Sequence, residues 1–291
     1  NIITNVKAMF IQNIGYYAIN GTDNLVITGF INVITVGFYS NYSMIISQLT
    51  NILTPIINGI GNSVGNLIAT ESKEKTYSIY QITQLITFWV YSVCTIALFN
   101  VLDPFIEWWL GDGFLLDRLT FIILLLNFYL MGVHQTLKTF KSKAGLFAQD
   151  KYAYLIEGIL NLVLSIILVQ KFGLAGVFLG TTISFLLVSF WNQPRILFQQ
   201  YFKQPVFYYY LDYGQKLVLM IVVGYLVEVL CQFITIDFLF LSIIVKGFIT
   251  VIVPSCIYFV VFYKTEAFQY IWNVFGKQLV LSKFKMINKL G

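Results

Sequence analysis

Hydrophobic positions in this chain come in blocks of about twenty residues or more, separated by short polar stretches. A block of that length, wound as a helix rising about 1.5 Å per residue, crosses a hydrocarbon core of about 30 Å. The blocks fall at 6–32, 36–69, 77–101, 119–138, 152–170, 174–197, 215–235 and 239–263. The pattern predicts an all-α fold, a polytopic transmembrane helix bundle of about eight spans. The second block is longer than a perpendicular span needs, so it is expected to tilt or to run past the bilayer. Pro55 within it and Pro254 in the last block each remove a backbone donor and are expected to bend their helices.

Polar residues interrupt the blocks at helical spacing. The first carries Asn13, Tyr17, Asn20, Asp23, Asn24 and Thr28, in steps of mostly three and four. The second carries Asn41, Gln48, Asn51, Asn58, Asn62 and Asn66, and the later blocks add Asn127, His134, Glu157 and Asn161. Such spacing puts each set on one helical face. An amide turned to lipid strands two donors and an acceptor, so the rows must face protein or water. Interhelical hydrogen bonding accounts for single amides. The rows taken together point to a water-filled substrate cavity, with Asn20, Asp23, Asn41, Asn58 and Asn62 expected in one space between the first two helices. Asp23 is expected either to pin helices together or to couple transport to a cation or proton. Glu157 could snorkel to Lys151, one turn away in the adjoining loop, and Glu228 and Lys246 could pair with each other.

Charge orients the bundle. Charged residues make up 11% of the chain, against about 25% in soluble domains, while hydrophobic residues make up 58% and mean hydropathy is +0.78. That composition excludes a soluble enzyme. With the N-terminus placed inside, the inside segments hold fifteen of the eighteen basic residues: Lys7, Lys73, Lys75, Lys138, Lys141, Lys143, Lys151, Arg195, Lys203, Lys216, Lys264 and the four of the C-terminal tail. The outside loop 102–118 is acidic, with Asp103, Glu107, Asp112 and Asp117. The positive-inside rule then gives an N-in, C-in topology. The net charge of +5 reads as membrane orientation, not nucleic-acid binding. Phe268, Trp272 and Phe275, set among lysines, make the tail 264–291 a cytoplasmic amphipathic basic segment.

No HExxH or Walker motif is present, and Gly61-Asn62-Ser63-Val64-Gly65, which fits GxSxG, lies inside the second apolar block and not on a strand-to-helix turn, so no catalytic residues, metal ligands or cofactors are expected. The three cysteines form no CxxC pair and are expected as buried free thiols. Gly176–Thr181 is glycine-rich but lacks a P-loop lysine, and reads as a close helix contact.

Several strings have a familiar order: Gly21-Thr22-Asp23-Asn24-Leu25-Val26-Ile27, Val36-Gly37-Phe38-Tyr39-Ser40-Asn41-Tyr42, Ser63-Val64-Gly65-Asn66-Leu67-Ile68-Ala69, Trp108-Trp109-Leu110-Gly111, Ala144 through Tyr152, Asn161 through Ile166, and Gly176 through Thr181. Together they resemble the Wzx-type flippases of the multidrug/oligosaccharidyl-lipid/polysaccharide exporter superfamily. The resemblance covers residues 1 to about 210. It implies a two-lobe transporter of which 1–198 would be the six-helix C-lobe, 199–263 two additional transmembrane helices, and the N-terminal lobe a partner missing from this stretch. It implies residence in the bacterial cytoplasmic membrane and movement of an undecaprenyl-pyrophosphate-linked oligosaccharide, by alternating access, for capsule, O-antigen or exopolysaccharide synthesis. A polysaccharide polymerase would be a further partner. Lys7, Lys138 and Lys141 would be the candidates for binding pyrophosphate, with plain positive-inside anchoring as the alternative role. A drug or metabolite antiporter of the same superfamily and a membrane polysaccharide polymerase are the competing functions.

Overall fold

Short polar side chains start the early helices. Asn32, Ser72 and Asp117 sit in extended conformation and accept hydrogen bonds from the backbone N–H groups of Thr35, Lys75 and Thr120, three residues on. Each satisfies a donor that the first helical turn leaves free. The computed structural model describes residues 2–273; within them the side chains at 2–5, 8, 16–20, 22, 24, 60–64 and 69 are not described. The helices are α1 (Ile2–Phe30), α2 (Val33–Thr70), α3 (Lys73–Leu110), α4 (Arg118–Lys143), α5 (Ala153–Phe172), α6 (Leu174–Leu187), α7 (Ser189–Ile196), α8 (Phe207–Gln232) and α9 (Leu239–Phe262). The fold is all-α among the described residues.

Among the described residues, six stretches are long and apolar enough to cross a membrane: Lys73–Leu110, Arg118–Lys143, Ala148–Phe172, Leu174–Phe202, Phe207–Gln232 and Leu239–Phe262. They make this a multi-pass membrane protein. Helices α1 and α2 run for 29 and 38 residues but are diluted by amides and hydroxyls, and they fall outside those six.

The expected sixth span is not one regular helix. It breaks at Val188 into α6 and α7, then continues as a π-type turn over Leu197–Phe202. Ser189 and Gln193 of α7 point inward to polar partners, which an uninterrupted register of α6 need not allow. The other helices pack in pairs, α5 against both α1 and α6, and α3 against α4 and α9. Between membrane helices such contacts gain van der Waals energy more than hydrophobic free energy. At Gly176 a Cβ would overlap the Leu168 backbone, so only glycine lets α6 approach α5 this closely.

Contacts define two ends of the bundle. At one, Tyr77 packs on Phe198 and Phe202, and Gln12 meets Phe147 and Asp150. At the other, Tyr42 donates a 2.6 Å hydrogen bond to Asp103, and Arg118 lies 3.7 Å from Asp103 and 3.8 Å from Glu228. Glu228 therefore pairs with Arg118, not with Lys246. Of the cysteines, Cys231 is buried and Cys94 half-buried as free thiols, but Cys256 is exposed on α9. In the tail, Phe268 stacks on Trp89 and on Trp272. Phe275 and the last four lysines lie outside the described residues.

Candidate functional site

A cavity of about 600 Å³ opens between α1, α2, α4, α5 and α6. Helix α2 contributes a row of hydroxyls, Ser43, Ser47, Thr50 and Thr54, with Tyr39 above it. Steps of three and four keep that row on one face. Helix α4 contributes Asn127, Gln135 and Lys138, α5 Tyr154 and Glu157, α1 Asp23, and α6 Thr181. Tyr91, Phe128, Phe178 and Phe185 form the aromatic part of the wall. Both signs of charge and many hydroxyls thus line one space within the apolar bundle.

Asp23 joins α1 to the α5–α6 pair. The Thr181 hydroxyl donates to its carboxylate, with Oγ1 3.0 Å from Oδ2 and 3.2 Å from Oδ1. The Asn161 amide donates to Thr181 Oγ1 at 2.9 Å. The Ser165 hydroxyl donates to the Val177 carbonyl at 3.1 Å, and that carbonyl lies 3.4 Å from Thr181 Oγ1. A carboxylate, a hydroxyl and a carbonyl so gathered are the oxygen donors that a hard cation prefers. Groups of three or more His, Cys, Asp or Glu do not occur among the described residues.

Glu157 begins a buried hydrogen-bond chain. It accepts from Ser189; Gln193 Nε2 donates to Ser189 Oγ at 3.0 Å; Gln193 Oε1 lies 3.1 Å from His134 Nε2; and His134 Nδ1 lies 3.3 Å from the Tyr209 hydroxyl. The donors all run one way. With the Gln193 amide in this orientation, His134 carries its hydrogen on Nε2 and accepts from Tyr209 on Nδ1. The chain ties α5, α7, α4 and α8 together and satisfies every buried polar group along it. Tyr209 also lines a second cavity, of about 440 Å³, between α3, α8 and α9.

A third cavity, of about 420 Å³, lies at the end of the bundle where α4 finishes. Lys138, Lys143, Thr139, Asn58 and Gln12 surround it, and Lys138 faces both this space and the central cavity. The Gln135 side-chain amide and the Thr139 hydroxyl donate to Asn58 Oδ1 at 3.3 and 3.4 Å. Lys141 also borders it, but the Lys141 ammonium is bound by Asp150 in a buried ion pair, and Gln12 donates to the other Asp150 oxygen at 2.7 Å. Lys143 thus joins Lys138 at this cavity, while Lys7 lies exposed on α1 away from it.

The structure divides the polar positions read from the sequence. Asp23, Asn127 and Glu157 border the central cavity, and His134 and Asn161 are buried just behind it. Asn58 borders the basic cavity instead. The amide row of α2 lies about 100° around that helix from the hydroxyl row. Gln48, Asn51 and Asn66 are exposed there and Asn41 is half-buried, and none of the four lines the central cavity. Asn13 is exposed on α1. The side chains of Asn20, Asn24 and Asn62 lie outside the described residues. Glu157 is hydrogen-bonded to Ser189 and does not reach Lys151, which lies over the Tyr152 ring at 4.8 Å. Thr181, Ser189, Gln193 and the α2 hydroxyls escaped the sequence reading, although the Ser43-Ser47-Thr50-Thr54 spacing is visible in it.

Comparison with protein-family models, with curated proteins and with solved structures gives no match for this chain.

Proposed function

We propose that the chain forms one half of a flippase that moves a lipid-linked oligosaccharide across the bacterial cytoplasmic membrane by alternating access. The observation that carries this reading is the central cavity, lined by hydroxyls, amides and both signs of charge inside a multi-pass bundle. A hydroxyl-rich sugar head cannot cross hydrocarbon unaided, because each stranded polar group costs several kcal/mol. A polar cavity replaces the water that such a head gives up. Lys138, facing both the central and the basic cavity, is placed to meet the pyrophosphate as the head enters, with Lys143 beside it. The exposed amide row of α2 supports a partner on that side, since Gln48, Asn51 and Asn66 cannot be left against lipid. In this reading the partner is a second lobe of the same transporter, and the N-in, C-in orientation puts the basic cavity on the cytoplasmic side.

Asp23 is the coupling group in this account. Its carboxylate, with Thr181 and the Val177 carbonyl, takes up a proton or a monovalent cation as α1 shifts against the α5–α6 pair. No covalent step is involved, and the cargo leaves as it entered.

The aromatic wall favours a second reading. Tyr39, Tyr91, Phe128, Phe178 and Phe185 would also suit an amphipathic organic solute, as in an antiporter for drugs or metabolites. Genetic complementation separates the two. In a strain lacking its polysaccharide flippase, the intact protein restores surface polysaccharide if the first reading holds. Drug resistance without polysaccharide would support the second.

A further inference from the structure

The cleft where α5 begins and α7 ends lies outside the central cavity and has no role in the transport just described. It encloses about 630 Å³ between Lys151, Tyr152 and Ile156 on one side and Leu187, Trp191 and Arg195 on the other. Neither Lys151 nor Arg195 has a carboxylate within ion-pair distance among the described residues. Arg195 spends one nitrogen on Gln199, at 3.4 Å, which leaves the rest of its guanidinium unused by that contact. The one carboxylate in the wall, Asp150, is already bound by Lys141 and Gln12. Two uncompensated cations therefore face one cleft.

The cleft continues into an apolar track. Ile156, Ile159, Val163 and Ile167 are all about half exposed, at 47–57%, and follow one another at steps of three and four along α5. From Ile156 to Ile167 the helix rises by about 16 Å, which is about half of a hydrocarbon core. Leu187 and Trp191 are likewise exposed, at 59% and 55%, and flank the mouth. An exposed tryptophan at this level marks the height of lipid headgroups. Cationic groups at the headgroup level above a one-leaflet track of aliphatic side chains complement a molecule with an anionic head and acyl tails.

We propose that this cleft is a docking site for an anionic phospholipid of the surrounding leaflet. Lys151 and Arg195 hold its phosphate, Trp191 packs beside the glycerol, and an acyl chain lies along Ile159 and Val163. Arg195 supplies the planar fork that matches a phosphate, and Lys151 a second point charge. The same end of the bundle carries Lys73, Lys75, Lys143 and Lys203, so it belongs in the leaflet with the negative surface potential. The site requires only the membrane-spanning fold, not the proposed cargo.

The test is native mass spectrometry of the intact protein in neutral detergent, titrated with phosphatidylglycerol or phosphatidylcholine. Phosphatidylglycerol should be retained at one tight position that phosphatidylcholine does not fill. Lys151→Ala with Arg195→Ala should weaken that position about 30-fold, the combined effect of two basic side chains at an anionic surface. Lys73→Ala with Lys75→Ala, at the same end but outside the cleft, should leave it unchanged. If the double cleft variant does not fold, Arg195→Gln alone reads the same position through an effect of about fivefold. Equal retention of the two lipids, or undiminished binding by the cleft variants, would overturn the proposal. So would displacement of phosphatidylglycerol by equimolar polyprenyl phosphate or inorganic phosphate, which would assign the cleft to the cargo or to a soluble anion.

Discussion

Thr181 donates its hydroxyl hydrogen to Asp23 across 158 residues of sequence, with 3.0 Å between Oγ1 and Oδ2. That bond holds the most polar point of α1 against the α5–α6 pair at the edge of the central cavity.

Asp23→Asn separates the structural role of this residue from its charge. The amide keeps an oxygen that can accept from Thr181, so the variant is expected to insert and accumulate as the wild type does. It removes the ionisation, and export by the intact protein should fall by at least about tenfold, equivalent to about 1.4 kcal/mol. Surface polysaccharide and membrane abundance, measured together, decide it. Undiminished export would leave Asp23 as a pin; loss of the protein itself would make the charge structural.

Opposite ends of α3 and α4 should label from opposite sides. Asp112 lies in the connector before α4 and Lys143 ends α4, both exposed. In intact cells an impermeant thiol reagent is expected to modify Asp112→Cys and to spare Lys143→Cys until the membrane is opened. The reverse pattern would invert the topology.

The Lys141–Asp150 pair is almost fully withdrawn from solvent, with side-chain exposures of 4% and 0%. Removing one member strands the other. Lys141→Ala is expected to destabilise the protein by about 3–5 kcal/mol, whereas replacing both, Lys141→Met with Asp150→Leu, should recover much of that loss. Thermal unfolding in detergent checks the order; equal losses for the single and double variants would show that the pair is not coupled.

Gly132 faces Tyr91 across the α3–α4 contact, where a Cβ would overlap the ring. Gly132→Ala should therefore cost about 1–3 kcal/mol by overpacking. Combining it with Tyr91→Ala should cost less than the two single changes added together. Strict additivity would mean that the two helices part without strain.

Much of the bundle was legible because hydrophobic block length is a local property. What the pattern left open was which polar face looks inward. Helix α2 has two polar rows, amides through Gln48, Asn51 and Asn66 and hydroxyls through Ser43, Ser47 and Thr50, and periodicity weighs them equally. The neighbours α3 and α4, which pack on α2, select the hydroxyl row. The partners of Asp23, Glu157 and His134 were hidden for the same reason. Ser189 and Gln193 read as ordinary residues of an apolar block until the break at Val188 turns α7 inward, and Thr181 gives no sign in sequence of meeting Asp23. Lys141 looked available because Asp150, nine residues on, gives no sign in sequence of folding back onto it.

The central claim is that the cavity carries a sugar head across the bilayer unchanged. It is tested most directly by reconstituting the intact protein in vesicles loaded with a lipid-linked oligosaccharide and measuring how much becomes reachable by an external lectin. The account predicts that the protein moves inner-leaflet oligosaccharide to the outside at a rate well above protein-free vesicles, with the cargo chemically intact, and that Asn127→Leu with Lys138→Ala returns the rate to background. Accessibility that stays at the protein-free level, or cargo that is cleaved or extended, would contradict it.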